Sequence, residues 1–503
     1  MGPVLHVMSQ SSECRRARNS GNQRNAVAEQ NTEDACPDSP TTEKVTPTRL
    51  VLLSLPPLAS QDASRSYILL LQQSRPRTTL VMTSTLFQLN YDVLSDVLGL
   101  MSSHDAAQLA LTCRGAYALA LPRFLSDVSL GGLYHKSSSS AVSQLTDFCN
   151  FLLAPAPSWH GPPSSRLDSL RTLELMRDAV RVRKAGVWTT DASAVALLSN
   201  VLARANNLQK LTLWGSEALF KAYPDFGLGS SASIHALILG GDVAPLPALA
   251  RAFPHVRQLI FIGGGACVPE WAFASPSVDP QALDAWRESV ESIDTCFPVL
   301  PLAVPARRVH LRNPIVSDLD AIHCAREFLG RTRPVVLSTA MSAYASPEEF
   351  GAVLELAAPS LRYLELVGDR CENVEDGTEW VQARVANAFS LVPDLSLLGI
   401  SLSVTPVVVS AMNRLKPYAG TPDAPRSDES RDLMGLVRAL AASSPSLKFV
   451  AIDLSPAKGS SLAERAWFRV FEVKDSRSRH VVKISEKEGS ALAEKMRAFN
   501  RYD

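Results

Sequence analysis

The chain has little of what metal-binding or secreted proteins usually carry. Its eight cysteines are scattered over 503 residues, with no Cys-x-x-Cys pair, no histidine at metal-ligand spacing and no Asn-x-Ser/Thr acceptor site. Scattered cysteines that lie in apolar runs are typical of small buried side chains in a reducing compartment. We therefore expect a cytoplasmic or nuclear protein that binds no metal.

The balance of charge and hydropathy argues against two further classes of protein. Lys+Arg and Asp+Glu each number 50, so the chain lacks the long-range field of a dedicated nucleic-acid binder. The longest apolar segments, 50–58 and 68–71, are broken by prolines and polar residues, and neither approaches the roughly 20 residues of a membrane-spanning helix. We expect neither nucleic acid nor a membrane among the partners.

Motifs for covalent or phosphoryl chemistry are also missing. There is no Gly-x-Gly-x-x-Gly, Gly-Lys-Ser/Thr or Gly-x-Ser-x-Gly, and the histidines are isolated in the sequence. Gly263-Gly264-Gly265 follows an apolar segment and is typical of the end of a structural repeat. The sequence predicts no catalytic residue and no cofactor. An enzyme site hidden in the repeat region remains the less favoured alternative.

Residues 1–81 are polar and lack a sustained period, which predicts a disordered leader. Met82 offers an alternative start for the working protein. From residue 89 onwards, apolar residues recur at helical spacing and predict three short helices, the first capped by Asp92 and the third ended by Pro122. Helices this short cannot bury their apolar surface among themselves, so residues 82–130 need a partner or a following domain.

Three segments of this helical region carry a resemblance to a known family. Leu89-Asn90-Tyr91-Asp92-Val93-Leu94, the run from Leu109 to Arg114 and the segment from Ala118 to Phe124 resemble the F-box as it occurs in fungal F-box proteins. Asn90 stands where the motif usually has proline. The resemblance implies binding to a Skp adaptor, and through it to a cullin and a RING subunit. The adaptor contacts that it implies are Leu89, Val93, Leu94, Val97, Leu98, Leu109, Cys113 and Arg114.

A Leu-x-x-Leu-x-Leu unit recurs further along the chain. Its seven clear copies begin at Leu170, Leu208, Ile234, Val256, Leu361, Leu395 and Leu447. Each copy predicts a short strand with alternate residues inward, then a turn and a returning helix. The pattern resembles irregular leucine-rich repeats and predicts an α/β solenoid with a parallel sheet over 167–473. A Ser/Pro-rich linker at 131–166 precedes it, and a charged segment at 474–503, helical at its end, follows it.

The residues between the leucines of each strand predict a binding surface. In such arrays these side chains point to the exposed, usually concave, face, where aromatic and Arg anchors dominate protein recognition. In the alternative, another segment such as 413–432 covers the face. The predicted substrate-binding residues are Glu174, Lys210, Gln258, Arg308, His310, Tyr363, Glu365 and Phe449.

Taken together, the motifs predict the substrate-recognition subunit of a Skp-cullin-F-box ubiquitin ligase. Such a subunit supplies proximity and orientation, while its partners transfer the ubiquitin. The substrate would be a protein. The alternative is a leucine-rich-repeat interaction scaffold without the adaptor, which Asn90 in place of the motif proline favours.

Overall fold

The computed structural model describes residues 90–131, 138–155, 166–184, 187–230, 232–263, 283–296, 302–315, 319–342, 344–371, 374–406, 433–454, 465–472 and 479–499. The predicted leader, Leu89 and the alternative covering segment 413–432 lie outside the described residues. Within the described ranges, no helix combines the length and the apolar character needed to cross a bilayer.

The described chain opens with three short helices, α1 (Tyr91–Leu100), α2 (Ser103–Ala110) and α3 (Arg114–Ser126). A polar group caps each helix, because the first turn has backbone N–H groups without helical partners. The side chains of Asn90, Ser102 and Cys113 accept these hydrogen bonds. The prediction that Asp92 caps α1 is therefore wrong, since Asn90 accepts the backbone N–H of Asp92 itself.

The third helix continues through Pro122 to Ser126, so the prediction that Pro122 ends it is wrong. The next residue, Arg123, ties this turn to its surroundings. Its Nε donates to the Met101 carbonyl at 2.8 Å, and its Nη1 donates to Ser126 Oγ at 2.6 Å and to Asp127 Oδ2 at 2.7 Å. One guanidinium thus connects the chain after α1, the end of α3 and the first residue of the following strand.

Among the described residues, thirteen strands form one sheet in the order β1-β2-β5-β6-β7-β8-β9-β10-β11-β12-β13-β14-β15, and β3 and β4 form a separate antiparallel ribbon. Neighbours from β1 to β13 pair in parallel. The last two pairings are antiparallel. The strands are β1 (Asp127–Leu130), β2 (Thr172–Leu175), β3 (Arg181–Lys184), β4 (Val187–Thr190), β5 (Lys210–Trp214), β6 (Ala236–Gly240), β7 (Gln258–Ile262), β8 (Ser292–Thr295), β9 (Arg308–Ile315), β10 (Val336–Ser342), β11 (Tyr363–Cys371), β12 (Gly399–Pro406), β13 (Phe449–Asp453), β14 (Ala466–Glu472) and β15 (Arg479–Ile484).

Helices alternate with these strands along the chain, and most pack on one side of the sheet. They are α4 (Ser138–Leu153), α5 (Ala192–Arg204), α6 (Ser216–Ala222), α7 (Leu246–Ala252), α8 (Asp284–Ser289), α9 (Leu319–Thr332), α10 (Pro347–Glu355), α11 (Val374–Glu379), a π-helix (Trp380–Ala386), α12 (Asn387–Leu391), α13 (Leu433–Ser443) and α14 (Glu486–Arg497). Short 3₁₀ turns at Arg166–Ser169 and Arg177–Ala179 flank β2. A long, mostly parallel sheet with alternating helices confirms the α/β, repeat-like part of the predicted fold.

The leucines of the repeat units form one continuous core with the helices. Leu173, Leu211, Leu237 and Leu259 occupy successive places in a row across four strands, and each is fully buried. Six of the seven predicted units keep their register. The unit predicted to begin at Leu395 does not. Ile400 pairs with Leu364, so this unit begins at Leu397.

The predicted linker at 131–166 contains a helix of the core. Ala141, Leu145, Cys149 and Leu152 of α4 are buried, and α4 packs against α5. Burial raises the pKa of the Cys149 thiol to about 12, so the thiol stays neutral. The linker prediction is wrong here, because α4 extends the layer of returning helices in front of the first repeat unit.

The C-terminal segment 474–503 ends in a helix, α14, as predicted. Its first part differs from the prediction, because β15 belongs to the main sheet. The Arg479 guanidinium donates to the carbonyls of Ala441, Ser444 and Leu447 around the end of α13. A cation is favourable at that position because the last carbonyls of a helix carry partial negative charge.

Leu145→Ala should lower the free energy of unfolding by about 2–5 kcal/mol, because it removes a fully buried side chain from α4. Urea denaturation measures this change. Leu228→Ala is the matched control, since Leu228 is exposed in a turn, and it should change stability by less than about 0.5 kcal/mol. Equal effects of the two variants would show that α4 does not belong to the core.

Candidate protein-binding surfaces

Apolar side chains of the helical module face solvent. The exposed fractions are 47% for Val93, 42% for Val97, 90% for Leu100 and 61% for Leu111. The first three are spaced by four and three residues on α1, which places them in one stripe. Leu111 follows the end of α2. We call these four residues the apolar stripe. Exposed large apolar side chains concentrated in one small module are a common mark of a protein interface.

The predicted adaptor contacts divide into exposed and buried positions. Val93, Val97, Cys113 and Arg114 are exposed, Leu98 and Leu109 are half-buried, and Leu89 lies outside the described residues. Leu94 is buried and belongs to the module's own core. Leu100 and Leu111 were missed in the sequence, although the spacing of Val93 and Val97 continues to Leu100.

A groove of about 260 Å³ separates α1 from α3 in the same module. Leu94, Leu98, Gly99, Ala118, Leu119 and Pro122 line it. Mostly apolar walls and a glycine without a side chain allow close approach of another surface. The module therefore offers both a stripe and an adjacent groove.

The strands place their remaining side chains on the face opposite the helices, in two rows that follow the strand register. The first row is Thr172, Lys210, Ala236, Gln258, Ser292, Arg308, Val336, Tyr363, Gly399 and Phe449. The second row is Glu174, Thr212, Ile238, Ile260, Asp294, His310, Ser338, Glu365, Ser401 and Ala451. All eight predicted substrate-binding residues lie in these two rows.

The C-terminal helix α14 covers one end of this face. Tyr363 and Phe449 are fully buried there, in a cluster with Trp467 of β14 and with Ala493 and Met496 of α14. The expectation that Tyr363 and Phe449 are exposed is therefore wrong. A sequence pattern that identifies the face of a strand does not show which distant segment packs on it.

Two glycines allow α14 to approach the sheet closely. A Cβ at Gly399 would overlap the Met496 side chain, and a Cβ at Gly489 would overlap the Trp467 ring. The seven residue steps from Gly489 to Met496 span about 10 Å of helix, which matches about two strand spacings of 4.8 Å. The helix therefore crosses from β14 to β12 and reaches β11 at its last residue.

Glu365 joins α14 to the strands. The Arg497 Nε lies 2.5 Å from Glu365 Oε1, Arg308 Nη2 lies 3.5 Å from Oε2, and the Ser338 hydroxyl donates to Oε2. Burial raises the pKa of the neighbouring Tyr363 hydroxyl to about 12, and the Glu365 charge acts in the same direction. Glu365, predicted as a substrate contact, thus serves the attachment of α14.

A second ionic cluster lies next to it on β8 and β9. Arg312 Nε and Nη2 contact the two Asp294 carboxylate oxygens at 2.6 and 2.7 Å, and His310 Nδ1 lies 3.4 Å from Oδ1. Burial alone would raise the pKa of Asp294. The hydrogen bonds from His310 and Arg312 and their charges outweigh burial and lower that pKa to about 2.

The other end of the face keeps part of its apolar surface exposed. The Trp214 ring lies on Gly240 of the next strand, and its Nε1 donates to Glu174 Oε1 at 3.2 Å. Ile260 and Ile262 are half-buried, Ile238 is buried, and Lys210 and Gln258 are exposed. We call Glu174, Thr212, Trp214, Ile238, Ile260 and Ile262 the first-half patch.

A cavity of about 650 Å³ lies at the edge where β6 to β8 begin. Its walls include the imidazoles of His235 and His255 and the charged side chains of Arg257, Glu288 and Glu291, and all five residues are exposed. Arg257 and Glu291 form a loose ion pair at 3.7 Å. Exposed charges interact weakly. Water also enters this open cavity, and it weakens the electrostatic interactions on which catalysis depends.

Asp294→Asn should lower stability at pH 7 by about 1 kcal/mol, allowing for solvent screening of a partly exposed site. The carboxylate has a lowered pKa in the folded chain, so its contribution is full above the unfolded value near 4. It is lost as the pH falls toward about 2. Urea midpoints of both proteins between pH 7 and 3 should therefore differ by a constant amount down to about pH 4 and begin to converge below it. A difference that stays constant to pH 3 would contradict the ionic origin.

The comparisons with known proteins leave the family open. No protein-family model matches the chain, and no curated protein matches it. Among solved structures, it is similar to the leucine-rich repeat-containing protein LegL7 from Legionella pneumophila, with 13% identity over 66% of this chain and 92% of that chain. The TM-score is 0.30, which does not establish a shared fold. The repeat-like architecture therefore rests on the strand register and the leucine core.

Proposed function

We propose that the chain is the substrate-recognition subunit of a Skp-cullin-F-box ubiquitin ligase. Helices α1 to α3 would bind the Skp adaptor, and the repeat sheet would bind a protein substrate. The observation that carries this proposal is the apolar stripe, which leaves Leu100 and Leu111 largely exposed on a module of three short helices. This module contains the three sequence segments that resemble an F-box.

The exposed apolar stripe is large enough to contribute substantially to the free energy of binding a partner. Fully burying one leucine contributes about 1.5–3 kcal/mol, so Leu100 and Leu111 alone would supply several kcal/mol to an interface. The buried Leu94 and the hydrogen bonds of Arg123 hold the module without them. The stripe therefore serves association better than it serves folding.

Asn90 need not disrupt the module. The motif proline fixes the chain at the entrance to the first helix, whereas Asn90 is the N-cap of α1 and its side chain accepts the Asp92 N–H at 3.3 Å. An N-cap asparagine is among the most favourable residues at that place. Asn90 thus starts α1 from the sequence position at which the motif usually has proline.

In this proposal the chain performs no chemistry and acts in the cytoplasm or the nucleus. It would hold a substrate near ubiquitin that its partners carry, and its contribution would be proximity. The alternative is an interaction scaffold that uses the same repeat face but binds no adaptor. Adaptor binding separates the two.

A pulldown of the full chain with purified Skp adaptor tests the proposal. The wild-type chain should bind, and a Val97→Asp, Leu100→Asp double variant should bind at least about a hundredfold more weakly, because burying unpaired carboxylates costs several kcal/mol. Both residues are already exposed, so thermal melting should show an intact fold.

Leu228→Asp is the matched control, since it places the same charge at an exposed leucine outside the module. It should leave adaptor binding unchanged. Failure of the folded wild-type chain to bind the adaptor would overturn the ligase proposal and leave the scaffold. Equal loss in the control would show that the contact does not involve the apolar stripe.

A further inference from the structure

We propose that the first-half patch binds a helical segment of a partner protein. The apolar face of that segment ends in a small residue, which is followed directly by Arg or Lys. The inference rests on the proposed function in one respect, because it names the kind of segment that the substrate presents. The inference arises because the strands at the two ends of the sheet face carry similar side chains at equivalent register positions.

The chain contains its own example of such a helix. Gly489, Ala493 and Met496 of α14 face the sheet, and the next residue, Arg497, reaches Glu365. These residues are spaced by four, three and one. This spacing keeps one face of the helix on the strands and places the cation at the C-terminal end of the helix. At that end the cation also interacts favourably with the helix dipole.

The strand register repeats the receiving surface at the other end of the sheet. Across β11, β12 and β13 the second row reads Glu365, Ser401 and Ala451. Across β2, β5 and β6 it reads Glu174, Thr212 and Ile238. Each set is a carboxylate, a small hydroxyl and an aliphatic side chain on consecutive strands. Glu174 and Glu365 both lie between two buried leucines.

Trp214 adds a feature that the α14 site lacks. Its ring occupies the space beside Gly240 that a Cβ would fill, and its Nε1 donates to one oxygen of Glu174. A carboxylate offers about four acceptor positions, so Glu174 retains the capacity to bind a cation. An aromatic face beside a carboxylate binds Arg or Lys by ion pairing and by cation–π attraction.

One difference between the two ends sets the specificity. Lys210 stands in the first row where the α14 site has Gly399, which receives Met496. Because a lysine side chain replaces a glycine at this position, a partner helix has less room there and needs a small residue before its cation instead of methionine. The same substitution should weaken docking at the α14 site. The two sites therefore prefer different helices.

A fluorescein-labelled peptide of residues 485–499 with Met496→Ala tests the inference against the full chain. Fluorescence anisotropy should show saturable binding with a dissociation constant below about 1 mM, the range of weak helix docking. Glu174→Gln should weaken binding about fivefold or more, and Glu365→Gln should not. A photoreactive group at the Ala493 position of the peptide should crosslink to β5, β6 or β7.

Four results would overturn the inference. They are no saturable binding at about 1 mM, loss of binding in Glu365→Gln but not in Glu174→Gln, crosslinks to β11–β13, and a dimer of the unliganded chain that Glu174→Gln dissociates. The last would make a second copy the occupant. Adaptor pulldown with the same Glu174→Gln protein should succeed, which separates failure of this site from failure of the proposed ligase role.

Discussion

Alternate side chains of the parallel strands are buried on the same side of the sheet, where they meet the returning helices. A slip of one residue in any strand would turn its leucines to the opposite face and leave its polar residues in the core. The core thus fixes the register of every strand of the main sheet from β2 to β13. The two rows on the opposite face are a consequence of that register, as are the positions of Glu174 and Glu365 within them.

The two ends of that opposite face are finished differently. At the C-terminal end, an antiparallel hairpin and α14 cover aromatic side chains with further apolar surface. In the middle, Asp294 and Glu365 hold arginines in ionic clusters. At the other end, Trp214 and the isoleucines of β7 keep exposed area. The C-terminal end of the face is therefore apolar and covered, and the other end is apolar and partly accessible. The ionic clusters of Asp294 and Glu365 lie between them.

The sequence was sufficient for features that depend on local periodicity. The leucine units predicted the strands, and the apolar spacing from Val93 predicted α1, because a pattern of period two or 3.6 lies within a few residues. The eight surface residues were correctly assigned to one face for the same reason. Leu397 was missed as the start of its unit because Leu395 and Leu398 offer a nearly identical pattern two residues away.

Features that depend on contacts between distant segments were beyond such reasoning. Nothing near Tyr363 indicates that Met496 packs on it, and the Ser/Pro-rich flanks of α4 hide a helix that the core requires. Pro122 illustrates a related limit. Its local tendency to end a helix was real, but the hydrogen bonds of Arg123 to Met101 and Asp127 accompany a helix that continues to Ser126.

The direct passage from α3 into β1 has a mechanical consequence. Ser126 ends the helix and Asp127 begins a strand that pairs with β2, and the Arg123 guanidinium spans the junction. No residue separates α3 from β1, so a change in the direction of α3 at its end must also reorient the strand. A protein that binds α3 would therefore constrain the direction of β1 and, through strand pairing, of the neighbouring sheet.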